Sequence, residues 1–157
     1  MKDTLIVYYS LFETTKNLAL EIAKQTGGTI RELIPDKKYS FDYNTACKEA
    51  RNEISRGFCP KLLSGNESID DYKTIFIGSP NWFKTFAPPV MSFLRQHNFS
   101  GKTVIPFCTH GGGGFSRIED DIAKECSESI ILPGIAVNGI VDPEQVASWL
   151  DSLGFEL

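Results

Sequence analysis

A chain of 157 residues, 41% hydrophobic and 23% charged, has the size and composition of one globular domain with its own core. No apolar run approaches the ~18 residues that a membrane span needs, and a net charge of −4 argues against a nucleic-acid duplex, whose binders carry a basic face. Cys47, Cys59, Cys108 and Cys126 form no C-x-x-C pair and have no histidine at metal-ligand spacing, so neither a metal site nor a redox dithiol is expected.

The first ten residues lack the long apolar region and small-residue cleavage site of a signal peptide, which predicts a cytoplasmic protein. Thr4 to Tyr9 reads as a strand, β-branched and aromatic without polar alternation. After Ser10-Leu11-Phe12-Glu13-Thr14-Thr15, a helix is predicted from about Thr15 to Gln25, with Leu18, Ala19, Ile22 and Ala23 on one face and Gly27-Gly28 as its stop. Thr29 to Ile34 is the second strand, ended by Pro35-Asp36. Strand, helix, strand is the unit with a right-handed crossover and parallel strands.

Asp42 to Arg56 is predicted helical, with Ala46, Cys47, Ala50 and Ile54 as its buried stripe and Gly57 as its end. Tyr39, Phe41 and Tyr43 before it are more aromatic than a connector needs; core-edge packing explains them, and one of them could reach a ligand. Phe58 to Asp71 reads as loop.

Ile75-Phe76-Ile77 is a continuous apolar run suited to a strand covered on both faces. Gly78-Ser79-Pro80-Asn81 is expected to break it. Trp82, Phe83 and Phe86 follow within five residues, packed either by neighbouring loops or by a flat ligand. Pro89 then opens a helix carrying Val90, Met91, Phe93 and Leu94. Thr103 to Cys108 is the fourth strand, followed by Thr109-His110-Gly111-Gly112-Gly113-Gly114-Phe115. Ser116 is expected to cap a helix to about Cys126, with Glu119 completing a capping box. Ser129 to Leu132 and Ile135 to Val137 supply the last strand. Asp142 and Pro143 start the final helix, whose Trp149, Leu150 and Leu153 face inward.

Five strands alternating with helices predict a single α/β domain over residues 1–157, a doubly wound three-layer sandwich. Its ligand crevice lies at the carboxyl ends of the strands, where strand order reverses. For a five-stranded parallel sheet of order 2-1-3-4-5, the loops from Ser10, Ser79 and Thr109 lie side by side there. The first of them, with Ser10, Thr14 and Thr15, is either a plain N-cap or an anion site of hydroxyls and free N–H groups. The glycine run is either a mobile loop or a stretch of backbone that can approach a ligand closely. His110 has no nameable carboxylate partner, so no residue is expected to be catalytic, and His97 at a helix end reads as a surface residue. Glu119, Asp120, Asp121, Glu125 and Glu128 form either a solvated helix face or a patch that steers a basic partner.

Taken together, these residues resemble the flavodoxin family over nearly the whole chain. Val7-Tyr8-Tyr9-Ser10-x-x-x-Thr14-Thr15 resembles the phosphate loop of its FMN-binding members. Gly78-Ser79-Pro80-Asn81-Trp82-Phe83, with Pro88-Pro89 beyond, resembles the loop whose aromatic side chain packs on the isoalloxazine ring. Thr109 to Phe115 resembles the loop edging the flavin on its other side, and the helix from Asp42 with Tyr39 and Tyr43 is similar to a short bacterial subgroup.

The resemblance implies FMN contacts from Ser10, Leu11, Phe12, Glu13, Thr14 and Thr15, from Ser79, Pro80, Asn81, Trp82 and Phe83, and from Thr109, His110, Gly111, Gly112, Gly113 and Phe115, with no metal. It implies an electron carrier serving a redox partner protein or a small electron acceptor. The alternatives are an NAD(P)H-dependent quinone or flavin reductase of the same fold, and a degenerate non-redox binding module that has lost flavin. One departure stands out: the family's phosphate loop usually carries Ser or Thr and then Gly where this chain has Phe12 and Glu13. The carboxylate is expected to weaken phosphate binding if it points inward.

Overall fold

The computed structural model describes residues 3–156. In chain order the elements are β1 (Thr4–Tyr8), α1 (Glu13–Thr26), β2 (Thr29–Glu32), β3 (Ile34–Pro35), α2 (Tyr43–Arg56), β4 (Leu62–Ser64) and β5 (Thr74–Pro80). They continue with α3 (Pro88–Gln96), β6 (Thr103–Thr109), α4 (Ile118–Glu125), β7 (Ile130–Ile131), β8 (Ile135–Val137) and α5 (Pro143–Ser152). The main sheet runs β2-β1-β5-β6-β7, all parallel, and β8 also pairs with β6, so the fifth position is filled by two short strands. This is the expected 2-1-3-4-5 order.

Alternation along the buried strands sorts side chains onto two cores. Leu5, Val7, Ile75, Ile77 and Val104 pack with Val90, Phe93, Ile118 and Ile122 of α3 and α4. Ile6, Tyr8, Phe76, Ile105 and Phe107 pack on the opposite face with Leu18 and Ile22 of α1 and Val146 and Leu150 of α5. Both faces are covered, which is why these strands read as continuous apolar runs.

Several local expectations are corrected. The strand from Thr74 does not break at Gly78 but pairs with β6 as far as Pro80↔Thr109. Gly78 serves packing there: a Cβ on it would lie 2.1 Å from the Phe107 ring. Pro80 is tolerated because β1 ends its pairing at Gly78 and leaves that side of the ladder without an acceptor to serve. Helix α1 starts at Glu13, two residues before the sequence places it, and ends on Gly27 at φ 73°. The predicted loop after Phe58 contains β4, which pairs antiparallel with Ile34–Pro35, a ladder too short for sequence periodicity to register.

Ser116 does not cap α4. It sits at φ 48° with its hydroxyl donating to the Gly113 carbonyl at 3.1 Å, Arg117 occupies the N-cap, and Glu119 accepts from the Gly134 N–H at 3.2 Å. Asp142 caps α5 as expected, accepting from the Glu144 N–H at 3.0 Å. His97 is half-buried rather than at the surface, its ring centroid 4.8 Å from that of Phe93 and 6.4 Å from that of Phe99. No helix among the described residues is long and apolar enough to cross a membrane.

Candidate functional site

The carboxyl ends of β1, β5 and β6 bring their three loops together, and the space between them and α2 is a cleft of about 520 Å³. Leu11, Phe12, Thr14, Pro80, Asn81, Trp82, Phe83, Thr109, His110 and Gly111 line it, so each of the three loops contributes. Seven further residues expected at the site lie outside this lining. Ser10 and Glu13 face a neighbouring cavity of about 300 Å³, across the wall formed by Leu11 and Phe12, with Lys16 and Lys38. Thr15 and Ser79 are buried beneath the loops. Gly112 and Gly113 are exposed at the rim, and Phe115 packs on the core beside Gly134.

The first loop leaves α1 without a side-chain cap, since Phe12 stands where Ser, Thr, Asp or Asn usually does. The first-turn N–H groups of a helix have no intrahelical acceptor, and the dipole adds a partial positive charge there. Of the three hydroxyls near this end, two are committed. Ser10 donates to the Phe12 carbonyl and accepts from the Lys16 N–H at 3.3 Å. Thr15 shares a buried 2.7 Å hydrogen bond with Thr109, joining the first loop to the third. Among the described residues the Thr14 hydroxyl has no partner, and it lines the cleft. Glu13 is exposed on the other side of the Leu11–Phe12 wall.

Trp82 meets two neighbours edge-on: its ring centroid is 5.6 Å from Tyr9 and 5.1 Å from Tyr39, which are themselves 6.0 Å apart. Both tyrosines are about 4% exposed, so Trp82 cannot swing back into the core and keeps one side toward the cleft. Burial pushes the pKa of both phenols above the usual tyrosine range, and the Tyr39 hydroxyl donates a hydrogen bond to the Glu53 carboxylate. Phe86 is absorbed by the core. Phe83 stays 42% exposed in the turn Trp82–Thr85, closed by Trp82 N–H to Thr85 O at 2.9 Å and Thr85 N–H to Trp82 O at 3.1 Å. Its central residues have positive φ, 53° at Phe83 and 71° at Lys84, as in a type I′ turn but without the glycine or asparagine such turns favour. The loop aromatics thus divide between the two readings: neighbours pack Phe86 and one side of Trp82, and Phe83 is left to the cleft.

Asn81 fastens the second loop to the third. Its N–H donates to Thr109 O at 2.8 Å, its amide donates to Gly114 O at 2.8 Å and Ser116 Oγ at 3.1 Å, and its Oδ1 accepts from the Lys84 N–H at 3.0 Å. Ser79 accepts from the Ala87 N–H at 2.8 Å and so holds the start of α3. His110 Nδ1 accepts from the Gly112 N–H at 2.9 Å, which puts its proton on Nε2. Cys108 beneath this loop is buried, and burial followed by the nearby Glu119 pushes its thiol up to about 12.

Sequence reasoning missed the fourth wall of the cleft, supplied by Tyr43, Ala46, Cys47 and Ala50 of α2 with Asn138 and Gly139 beyond β8. The aromatic excess at Tyr39, Phe41 and Tyr43 was the available signal; Tyr39 is the packing residue, and Tyr43 lines the cleft. The acidic segment after Arg117 is largely engaged. Asp121 accepts from Thr85 Oγ1 at 2.6 Å and pairs with Arg117 and Lys124 at 3.9 Å, and Glu125 pairs with Arg95 at 3.1 Å.

The chain matches the sequence model of a family described as Flavodoxin over residues 3–153. In structure it is similar to a candidate flavoprotein from Bacteroides uniformis, at 32% identity and TM-score 0.85, covering 96% of this chain and 98% of that one. A second candidate flavoprotein, from Bacteroides eggerthii, gives 25% identity and TM-score 0.88 over 99% and 100% of the two chains. A flavoprotein from Lactobacillus acidophilus, solved in complex with FMN, has the same fold at 22% identity and TM-score 0.76, covering 95% and 99%. No curated protein matches the chain.

Proposed function

We propose, since the chain belongs to the flavodoxin family, that it binds FMN at the carboxyl edge of its sheet and transfers electrons. The observation that carries this reading is the cleft of about 520 Å³ in which the three βα loops meet, with Trp82 as a fixed aromatic wall. The Lactobacillus acidophilus protein of the same fold takes FMN.

The residues present fit such a group. The phosphate belongs at the start of α1, where the N-cap Phe12 offers no side-chain acceptor, with the Thr14 hydroxyl as a neutral donor. Ser10 joins only if its proton leaves the Phe12 carbonyl, and Thr15 acts indirectly, by tying the helix to the glycine loop through Thr109. Gly111, whose added Cβ would meet nothing within 4 Å, lets backbone approach the ring. FMN, once bound, supplies the chemistry of taking up and returning one or two electrons. Trp82 orients the ring, excludes water from its face and disfavours added negative charge there; Tyr9 and Tyr39 keep Trp82 in place. His110 offers Nε2–H as a donor at the edge of the cleft.

Titration of the flavin-free chain with FMN, followed by quenching of flavin fluorescence, tests the reading. Saturation at one FMN per chain is expected, with a Kd raised about tenfold or more in Trp82→Ala as the ring contact is lost. A chain that quenches no flavin at any ratio overturns it.

A further inference from the structure

Behind the Leu11–Phe12 wall, the neighbouring cavity of about 300 Å³ lies between the carboxyl ends of β1 and β2 and the short strand β3. Four charged side chains face it: Glu13 and Lys16 from the start of α1, Glu32 at the end of β2, and Lys38 beyond β3. Among the described residues none of the four is in a salt bridge, so two cations and two carboxylates share one cavity without closing on each other. Ile34 and the buried Pro35 supply an apolar part. Phe12 and Phe41 complete the lining with ring centroids 6.4 Å apart, yet they are 50% and 72% exposed. The fold leaves both rings open to water.

Each of these features meets one part of a nucleotide. Exposed aromatic rings take a planar base by stacking. No Asn or Gln lines the cavity to read a base edge, so stacking area selects, and it favours a purine. In doubly wound folds an acidic side chain about 20 residues past the first βα loop holds the ribose hydroxyls. Glu32, half-buried and paired with Tyr8 across the sheet, stands at that position. The loop from Ser10 to Thr15 has no glycine with which to wrap backbone around a pyrophosphate, which leaves the phosphate to side chains. Lys16 and Lys38 are two cations for it, against one Glu13 whose exposed carboxylate can turn to solvent. The volume is at the low end of small-molecule sites, about 300–1,000 Å³, so a single nucleotide fills it. We infer that this cavity is a second ligand site, which takes a purine 5′-ribonucleotide with its base on Phe12 and Phe41, its ribose hydroxyls on Glu32 and its phosphate at Lys16 and Lys38. The site goes beyond the FMN reading and requires no flavin. The same group reaches it as a free nucleotide or as the adenylate half of a dinucleotide.

AMP is the probe, titrated by calorimetry into the flavin-free chain. One AMP per chain is expected, with 2′-deoxy-AMP and adenosine each bound about tenfold or more weakly. Glu32→Ala should bring AMP and 2′-deoxy-AMP to within about twofold of each other, a ratio that a general loss of structure does not produce. Lys38→Met, at an exposed position, should narrow the gap between AMP and adenosine about threefold or more. FMN should bind alongside AMP without displacing it. FAD displaces AMP where the adenylate is half of a dinucleotide and leaves it bound where the nucleotide is free, and both results keep the site. Absence of AMP binding at millimolar concentration, equal affinity for AMP and 2′-deoxy-AMP, an unchanged ratio in Glu32→Ala, or displacement of AMP by FMN overturns it. A chain that binds AMP and no FMN sinks the FMN reading alone.

Discussion

Thr15 and Thr109 stand 94 residues apart in the chain and share a 2.7 Å hydroxyl–hydroxyl hydrogen bond, both side chains nearly closed to solvent. This bond is the direct link between the start of α1 and the end of β6, so the geometry of the first and third loops depends on it. Valine is close to threonine in shape and lacks the hydroxyl. Thr15→Val leaves the Thr109 hydroxyl buried and unpaired, and Thr109→Val does the same to Thr15. Each single change should cost about 1–3 kcal/mol, the penalty of an orphaned buried polar group, and not the ~1 kcal/mol of the bond alone. At this chain length about 2 kcal/mol lowers Tm by roughly 6 °C. The double variant removes both orphans and should recover most of the loss, giving a coupling of about 1–3 kcal/mol in a urea-unfolding cycle. Additive single effects would refute the reasoning, because they would mean that each hydroxyl finds another partner when its mate is gone. FMN affinity supplies a second readout. The double variant should bind more weakly than its restored stability implies, since packing without the bond fixes the two loops less tightly.

Gly78→Ala drives a Cβ to 2.1 Å from the fully buried Phe107 ring, and the sheet on either side leaves no room to yield; a loss of about 3 kcal/mol or more in urea unfolding is expected. His97 is held below the usual histidine range, first by burial and then by Arg31, and among the described residues its buried Nε2 has no partner. A depressed folded-state value means that the unfolded chain binds the proton first, so stability is full above pH ~6.5 and falls as pH drops through the folded value. His97→Phe should flatten that acid slope in thermal melts between pH 7 and 5, and an unchanged slope would assign it elsewhere. Glu13→Gln should tighten FMN about six- to tenfold at low salt, since an exposed carboxylate ~6 Å from a phosphate of about −1.5 to −2 charge costs about 0.7 kcal/mol per unit of that charge in bulk-like surroundings. The gain should vanish in 0.5 M salt, where screening shortens to about 4 Å; a gain of a hundredfold would place the carboxylate inside the site.

What the sequence made legible follows from how local each determinant is. Thr4–Tyr8, Ile75–Ile77 and Thr103–Cys108 were readable because a strand covered on both faces must be apolar throughout. No single residue states the strand order; 2-1-3-4-5 is an order expected of the doubly wound class, and the meeting of the three loops follows from it. Gly78 was misread as a breaker because its reason for being glycine is Phe107, 29 positions away and visible only once β5 and β6 are paired. Ser10, Thr14 and Thr15 look alike in sequence. Which hydroxyl is free was decided by Phe12 O, Lys16 N–H and Thr109, and only the last is remote. Ala46 and Ala50 read as an ordinary buried stripe, and it takes the position of Phe83 to turn that stripe into a cleft wall.

The turn that carries Phe83 shows how such a site is kept. Two non-glycine residues at positive φ cost on the order of 1–3 kcal/mol each. Against this stand the paired bonds between Trp82 and Thr85, the Asn81 Oδ1 acceptor for Lys84 N–H, the Lys84 carbonyl accepting from Arg117 N–H at 2.9 Å, and Thr85 Oγ1 on Asp121 at 2.6 Å. At about 0.5–1.5 kcal/mol net per hydrogen bond, with the carboxylate bond at the high end, these offset the strain without leaving a large surplus. The turn is therefore over-determined but not idle. Its contacts reach β6 through Asn81, α4 through Thr85 and Lys84, and the tyrosine pair through Trp82, so Phe83 is aimed by three parts of the fold at once. A residue placed only to cover apolar surface would need none of these restraints, and would not remain 42% exposed once they were met.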